Sequence, residues 1–62
     1  MCEASAFILR DGQEELVLES VDIVEQENGN IRLVNIFGEQ KVLPANIKKL
    51  SLVDHKIILE SK

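Results

Sequence analysis

Two dipeptides, Asp11-Gly12 and Asn28-Gly29, constrain this chain more than any other feature in it. Residues of these types tolerate positive φ, the requirement of the tight turns that join antiparallel strands without splaying them. Each pair lies between β-type runs. Residues 4–10 (ASAFILR) and 15–19 (ELVLE) flank the first, and 20–27 (SVDIVEQE) and 31–37 (IRLVNIF) flank the second. Ile, Leu and Val supply nearly all the apolar content, and β-branched side chains pack well on a pleated surface. A chain punctuated in this way is predicted to be built of hairpins.

The pattern within the runs adds detail. In 20–27, Val21 and Ile23 share one face with Asp22 opposite, and Val24 breaks the alternation, which predicts a bend or bulge nearby. In 31–37, Ile31, Leu33, Asn35 and Phe37 share a face, while Arg32, Val34 and Ile36 share the other. Large apolar groups on both faces place this strand centrally or at an interface, with Val34 and Ile36 as interface candidates. Gly38-Glu39 is a further turn. Residues 39–43 (EQKVL) read as a strand that Pro44 ends, because proline cannot donate to a ladder. Residues 45–49 read as a short helical turn or a loop. Residues 50–53 (LSLV) and 56–60 (KIILE) complete the set, joined by Asp54-His55. The expectation is an all-β fold: one domain over residues 1–62, a small antiparallel SH3-like or Sm-like barrel of six to seven short strands.

Size adds a second constraint. A 62-residue domain buries only roughly 60% of the surface its unfolded chain exposes. The single cysteine forbids an intrachain disulfide, so association with a second copy is the available remedy, and a homodimer is expected.

Charge is uneven. Residues 1–40 hold nine acids against Arg10 and Arg32, a net −7, and residues 41–62 hold five lysines against Asp54 and Glu60, a net +3. The two parts can attract each other within or between protomers, although solvated faces explain the same charges. No apolar run reaches the length of a membrane span, and the start lacks a basic region followed by an apolar stretch. A cytoplasmic location is expected, where a free thiol stays reduced.

Several function classes are disfavoured. No Gly-rich phosphate loop, Ser-His-Asp set or zinc-type spacing exists. A Cys2-His55 pair would be the only thiol–imidazole couple, with one member at a chain end and the other in a turn. The chain is therefore not expected to be an enzyme. RNA binding by a small β-barrel is the alternative reading. It needs a basic groove and stacking aromatics, whereas this chain is net acidic with only Phe7 and Phe37. Lys41, Lys48 and Lys49 are the one candidate patch, so nucleic acid is an unlikely partner.

Cys2 is the candidate site residue. At a chain end it is poorly placed for packing, and it offers a thiol beside the terminal amine and a deprotonatable amide. If Met1 is removed, amine and thiolate form a five-membered chelate. If Met1 stays, its amine, the Cys2 amide nitrogen and the thiolate make a tridentate set. Either suits a square-planar ion such as Ni(II) or Cu(II). One chain cannot easily supply four strong ligands, but two chains meeting at a two-fold axis can. Imidazole also binds such metals, yet no sequence spacing brings His55 towards Cys2.

The Met1-Cys2-Glu3 start, the stretch IRLVNIFGEQKVLPANIKKLSLVDHKIILE over residues 31–60, and within it Ile36-Phe37-Gly38-Glu39 and LVDHKI (52–57) resemble the CooT family. These are small nickel-binding accessory proteins of carbon monoxide dehydrogenase maturation. The resemblance covers essentially the whole chain. It implies a homodimer of small β-barrel protomers that binds one Ni(II) ion between two chains through the N-terminal cysteine, here Cys2. It also implies a metallochaperone or nickel store whose client is carbon monoxide dehydrogenase.

Overall fold

Asp11 and Gly12 take φ values of 50° and 78°, and Asn28 and Gly29 take 46° and 82°. Positive φ at both central residues is the mark of the primed hairpin turn, so the two turns read from the sequence are present. They organise a computed structural model that describes residues 3–61. Six strands follow in chain order: β1 (Ala4–Arg10), β2 (Gln13–Glu27), β3 (Asn30–Asn35), β4 (Gln40–Leu43), β5 (Ala45–Ser51) and β6 (Lys56–Ser61). They form one sheet in the order β4-β3-β2-β1-β6-β5, and no helix occurs among the described residues.

Two expectations about this sheet are corrected. The sheet is mixed rather than antiparallel, because β1 and β6 pair in parallel, with Ser5 opposite Lys56 and Leu9 opposite Glu60. A parallel pair needs a long crossover, and here β2 to β5 provide it. Nor does the sheet close into a barrel. Its two edge strands, β4 and β5, are consecutive and separated only by Pro44. One residue is too short for a hairpin loop, so the two strands run end to end instead of pairing side by side. The helical turn or loop expected at 45–49 is also replaced, by β5, whose backbone pairs with β6 from Ala45↔Ser61 to Ser51↔Lys56.

Ala6 and Ile8 of β1, Leu18 and Val21 of β2, Ile31 and Leu33 of β3, Ala45 of β5, and Ile57 and Leu59 of β6 form a single buried cluster. In β3 the predicted alternation holds for Ile31, Leu33 and Asn35, but Phe37 falls in the following turn and is 75% exposed. The bulge signalled by Val24 lies between Val21 and Ile23. Its effect reverses the expected faces: Ile23 turns outward and Val24 packs against the core. The interface candidates Val34 and Ile36 are half-buried and marginally exposed.

Among the described residues Asn35 is the one buried polar residue. Its Oδ1 accepts from the backbone N–H of Phe37 at 3.0 Å and of Glu39 at 2.8 Å. Its Nδ2 donates to Glu39 Oε1 at 2.7 Å. Buried polar groups must be bonded in this way, and the bonds shape the β3–β4 turn. Asn35 pairs with Val21, which pairs with Ala4. The turn therefore lies two strands from the start of the chain.

Candidate functional site

Met1 and Cys2 lie outside the described residues, so the site is built from what the fold places next to them. Glu3 is exposed and leads directly into β1. The end of the sheet at which β1 begins is the described part nearest Cys2 in sequence.

The parallel pairing of β1 with β6 decides what else is there. The Ser5 N–H donates to the carbonyl of His55 at 2.9 Å, which pins the turn of residues 52–55 beside the first strand. That turn is set by local chemistry. His55 takes φ 53°, and Asp54 Oδ2 accepts from the Ser51 hydroxyl at 3.1 Å. A groove of about 320 Å³ opens between this turn, the chain start and the second half of β2. Its lining is apolar at Ala4, Val21, Val24, Leu50 and Ile57, and Glu3, Asp22, His55 and Lys56 add polar and charged groups. His55 is therefore a neighbour of the chain start after all. Sequence spacing misses this because the juxtaposition comes from pairing the first strand with the last. No cluster of three or more metal-ligating side chains occurs among the described residues.

A second groove of about 310 Å³ lies at the other end of β1, between the β1–β2 hairpin and β4. Arg10 and Glu15 form an ion pair at 2.9 Å within it, and Leu16, Lys41 and Val42 also line it.

The charges fall partly as their asymmetry suggested. Lys56 of the basic part meets Glu14 of the acidic part at 2.7 Å, with its ammonium 5.0 Å from the Phe7 ring centroid. The three lysines considered for nucleic acid do not share a strand. Lys41 is on β4 and Lys48 and Lys49 are on β5, which are not paired with each other. Lys48 also faces Glu60 at 3.7 Å. Among the described residues no helix is long and apolar enough to cross a membrane.

Comparison with known proteins gives three findings. Residues 1–60 match the model of the family described as CO dehydrogenase accessory protein CooT. The chain is 52% identical to a candidate CooT of Carboxydothermus hydrogenoformans whose crystal structure is known. The two superpose with a TM-score of 0.92 over 98% of each chain. It is also 39% identical, over 46 residues, to the uncharacterized protein MJ1551 of Methanocaldococcus jannaschii, a match covering 74% of this chain and 81% of that protein.

Proposed function

We propose, proceeding from the fact that this chain belongs to the CooT family of CO dehydrogenase accessory proteins, that it is a cytoplasmic nickel-binding metallochaperone or nickel store. In this reading two protomers hold one Ni(II) ion through their Cys2 residues for delivery to carbon monoxide dehydrogenase. The observation that carries the proposal is the family match, which begins at residue 1 and so spans Cys2.

The chemistry is simple. Two thiolates, together with terminal or backbone nitrogens from the two chain starts, supply four donors to a square-planar ion. Each thiol must lose its proton to bind, so affinity falls as pH falls. The exposure of Glu3 supports a solvent-accessible position where an incoming ligand of the client can displace a thiolate, which suits a carrier better than a permanent store.

Titration of the purified protein with Ni(II) tests the proposal. The expected result is one ion per two chains, with sulfur-to-nickel charge-transfer absorption, and loss of both in Cys2→Ser. A Cys2→Ser protein that binds nickel as tightly as its parent overturns it.

A further inference from the structure

We infer that a second copy of this chain docks on the end of the sheet where the chain begins, Val53 of each copy entering the apolar groove of the other. The inference deepens the two-chain reading above by naming the surface, and it rests on that reading for its choice of occupant.

Leu52 and Val53 are 84% and 90% exposed, the highest values among the large apolar residues described. The turn they occupy does not need them. Its unusual backbone is carried by His55, and its side-chain hydrogen bond by Ser51 and Asp54. Turn tips favour Gly, Asn, Asp and Ser, and a β-branched valine has no local reason to be there. Immediately behind the tip is the apolar groove, and Leu52 and His55, which flank the tip, both line it. Knob and hole therefore share one patch.

That adjacency favours the same occupant. A two-fold interface is isologous, so one patch must be complementary to itself. A protruding valine next to an apolar groove meets this requirement, since each copy fills the other's groove with the residue it would otherwise leave in water. A head-to-tail contact would leave one knob and one groove unused. The groove lining carries both signs, Glu3 and Asp22 with Lys56, so a two-fold copy can meet opposite charge. The size is also suitable. Leu50, at 54% exposure, together with Leu52 and Val53 presents on the order of 400 Å² of apolar surface, as large as the biggest patch on a typical monomer. That is about half of what each partner contributes to a standard interface, and the other residues lining the groove supply more. An axis passing here brings Glu3 of the two copies together, and with it the two chain starts that a shared ion requires.

Sedimentation of the full chain, with and without added Ni(II), tests the inference. The parent is expected to be a dimer. Val53→Asp is expected to weaken the dimer by roughly thirtyfold or more, the effect of losing an interface hot spot. Its far-UV circular dichroism should not change, because Val53 is 90% exposed. Val42→Asp makes the same chemical change on β4, where Val42 is 63% exposed, and should leave the dimer intact. A Val53→Asp dimer as tight as the parent, or a dimer broken by Val42→Asp instead, overturns the inference. A parent that is monomeric yet binds nickel through Cys2 also overturns it and leaves nickel binding standing. A dimer broken by Val53→Asp whose nickel does not depend on Cys2 supports the interface and overturns the metal reading.

Discussion

Asn35→Ala gives the sharpest test of how the end of the sheet near the chain start is held. The side chain is 5% exposed and makes three hydrogen bonds, at 3.0, 2.8 and 2.7 Å. Truncation leaves the Phe37 and Glu39 N–H groups without an acceptor. A buried group so stranded costs about 1–3 kcal/mol. Phe37 and Glu39 are exposed residues, so water recovers part of this and the low end applies. The expected loss is about 2–3 kcal/mol, against a total of roughly 3–9 kcal/mol for a domain of this length. Asn35→Asp separates the two halves of the network. It keeps an oxygen for both N–H groups but sets a carboxylate against Glu39 Oε1 where an amide donated. Two carboxylates this close resist double ionisation, which raises the folded-state pKa of the pair. The sign follows: the deficit is absent while the pair holds a proton and appears as pH rises through that pKa. Urea unfolding followed by circular dichroism, with parent and variants compared at equal m-value, should show Asn35→Asp near the parent at about pH 4. It should fall about 1–2 kcal/mol below the parent at pH 7. An Asn35→Ala loss under about 0.5 kcal/mol, within the range of ordinary surface changes, or an Asn35→Asp deficit that does not change with pH, refutes the reasoning.

Two further stability predictions test the rest of the frame. Leu59 is fully buried and pairs with Ile8 on one side and Ile47 on the other. Leu59→Ala should therefore cost about 3–5 kcal/mol and lower Tm by at least about 12 °C, and a fall under about 5 °C in a thermal scan would contradict its central place. Gly12 has φ +78° with nothing within 4 Å of an added Cβ. Gly12→Ala should lose about 1–2 kcal/mol from backbone strain alone, measured by urea midpoint, and an unchanged midpoint would mean that the turn relaxes freely.

What was legible in the sequence was what local chemistry dictates. The Asp11-Gly12 and Asn28-Gly29 turns need positive φ and have it. The alternation of Ile31, Leu33 and Asn35 marks a strand with one buried face, and Val24 signals a bulge that exists. The consequence of that bulge was not legible, because a single extra residue sends Ile23 outward and Val24 inward. Residues 45–49 misled for a related reason. Their exposed lysines lack strand alternation because β5 is an edge, and what makes it a strand is its backbone pairing with β6. The parallel pairing and the open barrel depend on which distant strands meet, and hairpin signals report only neighbours.

The candidate site shows the same division. Cys2 is singled out by its chemistry alone and lies outside the described residues, while the surroundings of Glu3 and Ala4 are not legible, because they are made by the parallel pair. Ser5 bonds to His55 at 2.9 Å and stands opposite Lys56. It is therefore anchored to the strand whose next three residues, Ile57, Ile58 and Leu59, are all buried, at 5%, 6% and 0% exposure. The proposed square-planar site at a chain end would need support whose position is set by packing elsewhere. Strand β6, with three consecutive buried residues, would be that support, and from Ser5 only Ala4 and Glu3 lead back to Cys2. The same β5–β6 turn that receives the Ser5 hydrogen bond also carries Leu52 and Val53. One turn thus both anchors the start of β1 and presents the knob proposed to bring a second copy to it, so the proposed metal site and the proposed dimer surface would be coupled through a few residues of backbone.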